Sequence, residues 1–104
     1  MIVHFSNGKL EKKLCNIRLL KKYYSNDYQK ISNRLSEMRA ANNLSEIPEV
    51  PPPRRHKLSN NLKDCWGIDY SKNDRIIIRP CGEYDINDLT TITEIEIIDL
   101  EDYH

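Results

Sequence analysis

The spacing of apolar positions changes along the chain, and each change marks an element. Ile2-Val3-His4-Phe5 is a short β-prone run closed by Ser6-Asn7-Gly8, which predicts a first strand. From Leu10 to Tyr24 the apolar residues Leu10, Leu14, Ile17, Leu20 and Tyr24 recur at three- and four-residue steps. That spacing puts one stripe on a helix whose remaining faces carry lysines and Arg18. Ser25-Asn26-Asp27 offers caps for a second helix, with Tyr28, Ile31, Leu35 and Met38 as its stripe and Asn42-Asn43 as its end. The expectation is a two-helix hairpin in which each stripe covers a sheet or the other helix.

Leu44 to Pro53 reads Leu-Ser-Glu-Ile-Pro-Glu-Val-Pro-Pro-Pro. Proline lacks the donor N–H and restricts its predecessor, so this stretch predicts an extended connector, a spacer with a polyproline character. Beyond it the period becomes two. Trp66, Ile68 and Tyr70 share one face of a strand, Ser71-Lys72-Asn73-Asp74 makes a turn, and Arg75-Ile76-Ile77-Ile78-Arg79 returns as its hairpin partner. Pro80 to Thr91 is a long polar loop. Ile92 to Leu100 is a last strand whose alternation slips at Ile97-Ile98, the mark of a bulge or of burial on both faces. The order is strand, two helices, then three or four strands: an α+β arrangement with a mainly antiparallel sheet.

Composition adds bounds. A length of 104 residues predicts one domain, 1–104, with a modest core, and 38% apolar with 31% charged residues is globular composition. The purely apolar runs are short, and no basic segment followed by an apolar stretch opens the chain, so a cytoplasmic protein without membrane partners is expected. Cys15, Cys65 and Cys81 lack metal-ligand spacing and read as small buried residues; a Cys65–Cys81 disulfide is set aside for a cytosolic chain. The net charge of +0 hides two unlike halves. From Met1 to Lys63 there are 13 Lys+Arg against 5 Asp+Glu, a balance of +8, and from Asp64 to His104 there are 3 against 11, a balance of −8. A basic surface open to a polyanion, with an acidic one elsewhere, is what such a split implies when folding keeps the halves apart.

Three segments carry a resemblance. Arg55-His56-Lys57-Leu58 is similar to a basic-x-His-x-Leu stretch; Cys65-Trp66-Gly67-Ile68 with Arg75-Ile76-Ile77 looks like a Trp-Ser-Ile strand followed by an Arg-Ile strand; Asp99-Leu100-Glu101-Asp102-Tyr103-His104 is similar to a terminal acidic-Asp-Tyr-His. In this order, over nearly the whole chain, they resemble the plasmid-maintenance killer family that includes HigB, within the RelE/ParE toxin superfamily. The resemblance implies the RelE/ParE-like fold. It also implies the toxin role of a type II toxin–antitoxin system, ribosome-dependent cleavage of messenger RNA, and a HigA-like helix-turn-helix antitoxin as partner.

Metal-free RNA cleavage needs a base for the ribose 2′-OH, cations for the pentavalent phosphorane and an acid for the 5′-oxygen. Histidine, titrating near pH 6.5 when unperturbed, suits both proton transfers, and His56 and His104 are the candidates. Asp102 would orient a histidine. Tyr103 would stack on a base or donate to a phosphate. Arg75 would offer a bidentate fork to the scissile phosphate, and Arg79, further along the strand, shares its face. Arg54, Arg55, Lys57 and the helical Lys12, Lys13, Lys21 and Lys22 would attract RNA irrespective of sequence. His4 matches no segment and reads as structural. No phosphate-binding glycine loop or zinc pattern occurs, so neither metal nor other cofactor is expected. Three departures stand out: Ser59 where many members carry a basic residue, Gly67 where serine is common, and the longer Pro80–Thr91 loop. Two alternatives share the fold: a ParE-like toxin that inhibits gyrase without cleaving RNA, and a degenerate toxin that only binds its antitoxin.

Overall fold

A computed structural model describes residues 1–102, without the side chain of Asp102. Tyr103 and His104 therefore lie outside the described residues. Among these, the elements run β1 (Ile2–Phe5), α1 (Gly8–Cys15), α2 (Ile17–Tyr23), α3 (Tyr28–Ala40), β2 (His56–Lys57), β3 (Trp66–Asp69), β4 (Asp74–Pro80) and β5 (Glu94–Asp102). The five strands form one sheet in the order β1-β5-β4-β3-β2. Every neighbouring pair is antiparallel except β1 with β5, which run parallel: the helices carry the chain from β1 to β2 at the opposite edge, and the antiparallel run β2-β3-β4-β5 brings it back beside β1.

The helical layer differs from the two-helix expectation. Asn16 is extended (φ −106°, ψ 114°), and its side chain accepts from the N–H groups of Arg18 and Leu19. It ends one helix and caps the next, so the stretch from Leu10 to Tyr24 is two helices, not one. Leu10, Leu14 and Leu20 of the stripe are buried, whereas Ile17, just past the break, is exposed. The α3 stripe of Ile31, Leu35 and Met38 is buried as its spacing predicts.

All three helices lie on one face of the sheet. There they meet Trp66, Ile68 and Tyr70 of β3 and its turn, Ile76 and Ile78 of β4, and Ile95 and Ile97 of β5. Each fully buried Ile or Leu contributes roughly 1.5–3 kcal/mol against the entropy of ordering it. The Leu44–Pro53 segment is more than a spacer. Leu44 sits in a 3₁₀ turn (Leu44–Glu46), and Leu44 and Ile47 both enter the core. The cysteines also differ from expectation: Cys65 is buried, Cys81 half-buried and Cys15 exposed, and all three are free. No helix among the described residues is long and apolar enough to cross a membrane.

The slip at Ile97-Ile98 is a bulge that sets the facing of the last residues of β5. Ile78 pairs with Ile97 but Ile77 pairs with Asp99, so Ile98 is the extra residue on β5. Up to Ile97, odd positions of β5 face the helices. The extra residue shifts the phase by one, turning Leu100 toward the helical core and Glu101 to the opposite face, across from Arg75. Ile98 itself joins Leu58, Cys65, Leu62 and Ile77 in a small apolar cluster on that open face.

Candidate active site at one end of the open face

The open face gathers its polar residues at two ends. One end is built from β2, the end of β3, the start of β4 and the end of β5. His56 pairs with Gly67, Asp69 with Arg75, and Arg75 with Glu101, which places these side chains in neighbouring rows.

His56 is held at both ring nitrogens. Its Nδ1 lies 2.7 Å from the Arg54 carbonyl oxygen. A carbonyl only accepts, so Nδ1 carries the proton, and in the neutral ring the lone pair is on Nε2. Nη1 of Arg75 stands 3.4 Å from that Nε2. Beneath the ring lies Gly67: a Cβ there would sit 2.8 Å from both Cε1 and Nε2 of His56 and 3.1 Å from Cδ of Arg75. Glycine at this position therefore makes room for the imidazole, a role that its type in the sequence does not reveal.

Each arginine is fixed by a carboxylate. Nε of Arg54 donates to Asp69 at 2.6 Å; the Asp69 side chain is only 8% exposed, and the backbone of Arg54 adopts φ 41°. A left-handed conformation is uncommon for arginine, and it aims the carbonyl at His56 while the side chain reaches Asp69. The buried Arg34 of α3 donates to the Asp69 carbonyl oxygen at 2.9 Å, tying this corner to the helical layer. Arg75, with its side chain 15% exposed, donates through Nε to Glu101 Oε1 at 3.0 Å, and Nη2 of Arg75 reaches the same oxygen. Beside this cluster opens a cleft of about 460 Å³ lined by Lys30, Arg34, Arg54, Asp69, Tyr70, Lys72 and neighbouring residues, with four cations and the Arg54-paired Asp69 carboxylate on its wall.

The remaining expected residues fall elsewhere or at the rim. Arg55 is tucked in, its side chain 10% exposed, donating to the Ile47 carbonyl oxygen at 2.8 Å and facing Glu49. Lys57 lies across from Trp66 with its ammonium 4.7 Å from the ring centre, a cation–π contact away from His56 because successive strand residues alternate faces. Arg79 pairs with Glu96 at 3.1 Å, at the far end of β4. Lys13 and Lys22 approach Tyr23, and Lys21 approaches Tyr28, in the helical layer. Strand β5 carries the chain one residue past the Arg75–Glu101 pair, to Asp102 opposite Asp74. Tyr103 and His104, expected beside His56, are outside the described residues. Asp69, Gly67 and Arg34 had no sequence signal beyond alternation; Asp69 is the polar member of β3 that faces Arg75 in register.

No protein-family model matches this sequence, and no curated protein does. The solved structures do. The chain is similar to a YoeB/ParE toxin from Agrobacterium tumefaciens over 100% of both chains, with a TM-score of 0.61 at 10% identity. It is also similar to the YoeB-YefM complex from Staphylococcus aureus, with a TM-score of 0.57 at 15% identity, covering 100% of this chain and 97% of that one. The chain has the fold of the YoeB/ParE toxins. Within that fold the His56–Arg75 corner can do proton-transfer chemistry next to an anion: an imidazole with a defined tautomer, a guanidinium at its Nε2 and a cationic cleft alongside. Neither Cys65 nor Cys81 is a ready nucleophile, since burial pushes the Cys65 thiol up, and burial followed by the charge of Glu94 pushes that of Cys81 up to about 11.

Proposed function

We propose that this chain is the HigB-type toxin of a type II toxin–antitoxin pair and cleaves messenger RNA on the ribosome by metal-free acid–base chemistry. The observation that carries the reading is the fixed tautomer of His56, whose Nε2 lone pair stands beside the Arg75 guanidinium. In this scheme Nε2 takes the 2′-OH proton as the 2′-oxygen attacks the adjacent phosphorus. The P–O5′ bond breaks, and the 5′-oxygen takes its proton from an acid, the role assigned to His104 with Asp102 orienting it. Arg75 stabilises the charge on the phosphorane, Tyr103 stacks on a base, and Arg54, Lys57 and the cleft's Lys30 and Lys72 attract the backbone. The YoeB-YefM complex supports an antitoxin partner, for which the sequence resemblance names a HigA-like helix-turn-helix protein.

The test is cleavage of a defined mRNA on translating ribosomes by the purified full chain. Replacing the base by His56→Ala should lower the rate by about 10²-fold or more while leaving the circular dichroism spectrum unchanged. His104→Ala and Asp102→Ala should also slow it. Parent-like cleavage by all three variants overturns the assignment. The Arg75–Glu101 pair favours one second reading, a toxin that binds antitoxin without cleaving, because a carboxylate already occupies the fork meant for phosphate. Full antitoxin affinity with neither cleavage nor growth arrest by the parent would establish it. DNA damage with intact mRNA would instead favour the gyrase-inhibiting alternative.

A further inference from the structure

The other end of the open face brings together three residues that are far apart in the sequence. His4 comes from β1, Cys81 from the turn just after β4, and Glu94 from the first position of β5. Nε2 of His4 is 3.1 Å from Oε2 of Glu94, Sγ of Cys81 is 3.6 Å from the same oxygen, and the three donor atoms all lie within 4.8 Å of one another. We propose that His4, Cys81 and Glu94 form a binding site for a divalent cation of borderline softness, zinc above all.

Two of the three donor separations are compatible with a metal's coordination shell. Zinc binds nitrogen and oxygen at about 2.0–2.1 Å and thiolate sulfur at about 2.3 Å; at tetrahedral angles these lengths separate N from O by ~3.3 Å and S from O by ~3.5 Å. Both observed separations fall within a few tenths of an ångström of those values. The donor set selects the ion, since one imidazole, one thiolate and one carboxylate suit zinc, whereas magnesium and calcium take oxygen.

The framework is built before the ion arrives. The Cys81 N–H donates to the Glu94 carbonyl oxygen at 3.0 Å, and the Ile2 N–H donates to the Thr93 carbonyl oxygen at 3.1 Å, so all three segments are already pinned to one another. Gly82, at φ 74°, turns the chain away directly after Cys81. Register places His4 opposite Glu96, adding a second carboxylate to the same face, itself paired with Arg79. On binding, the thiol releases its proton to solvent, and His4 Nε2, whose N–H donates to Glu94, gives up that proton so that the neutral ring ligates through Nε2 and carries its hydrogen on Nδ1. The His4 side chain is 50% exposed, which leaves a fourth position open to water. Glu101 lies seven positions beyond Glu94 on β5, roughly 20 Å of strand, so the ion takes no part in the chemistry at His56. Its effect is to fasten the edge strand β1 to the β4–β5 junction.

The probe is Co²⁺ added to the full chain with its cysteines reduced. One equivalent should bind and give the near-ultraviolet charge-transfer band of a cobalt thiolate. The band should persist in Cys15→Ser and Cys65→Ser, vanish in Cys81→Ser, and need at least tenfold more Co²⁺ in His4→Ala and Glu94→Gln. Zn²⁺ should displace the cobalt and raise the melting temperature of the parent by several degrees, but not that of His4→Ala, whose exposed side chain can be removed without disturbing the core. No band in the parent at saturating Co²⁺, or a band that survives Cys81→Ser, overturns the site.

Discussion

At both ends of the open face a histidine sits on a strand beside charged partners, yet the two are fixed in opposite senses. His56 has a guanidinium at Nε2, Arg75 at 3.4 Å, and its other nitrogen is committed to the Arg54 carbonyl. His4 has a carboxylate at Nε2, Glu94 at 3.1 Å, with a thiol next to it. A cation beside His56 Nε2 repels a metal and attracts a phosphate; the carboxylate that accepts from the His4 Nε2–H, and the thiol beside it, do the reverse once that nitrogen has given up its proton. The same side chain on the same face is thus set for proton transfer at one end and for ligation at the other, by the sign of its neighbour.

The largest effect on stability should come from Arg54→Ala, which takes the guanidinium away from the buried Asp69 carboxylate. Because Arg54 is itself partly exposed, the cost should be about 2 kcal/mol rather than the 3–5 of a fully buried pair. Chemical denaturation measures it, and Asp69→Asn on the Arg54→Ala background should recover part of the loss. No loss at all would mean that this corner is not held by the pair.

Gly67→Ala should act on catalysis more than on stability. The new Cβ must push the His56 ring aside, and a displacement well under 1 Å is enough to cost roughly tenfold in mRNA cleavage. The melting temperature should change little, since alanine is also the better strand residue. Unchanged cleavage would show that the ring's position over Gly67 is not the working one.

The smallest effects separate the two ends by charge. Glu101→Gln removes a carboxylate from Arg75 and should tighten RNA binding about threefold at low salt, with a steeper salt dependence. Arg79→Ala, at the metal end, breaks an exposed pair and should change stability by under about 0.5 kcal/mol and RNA affinity by less than twofold. An Arg79→Ala loss as large as that of an arginine at the His56 end would mean that the RNA path crosses the whole face.

Much of this is legible in the order and period of the apolar residues. The α3 stripe, the β3–β4 hairpin and the bulge near Ile97-Ile98 follow from periods of 3.6 and 2 and from one break in alternation. The break at Asn16 is not, because Ile17 keeps the helical spacing even though an asparagine side chain caps a new helix there. Burial of Ile47 escapes the sequence for a related reason: prolines mark a segment as irregular but do not say whether its apolar residues are buried.

The sequence by itself determined the residue types and most of the elements, including His56 and Arg75 as chemistry-bearing residues on a basic stretch and a strand, but not the division of the first helical stretch at Asn16. Only the tertiary structure decided their company. The pairing of Arg75 with Glu101 depends on one extra residue in β5, the seat of His56 on the missing Cβ of Gly67, and the meeting of His4, Cys81 and Glu94 on β1 running parallel to β5. Each is a contact between segments distant along the chain. Local periodicity reports which face a side chain takes, whereas cross-strand register decides what stands opposite it.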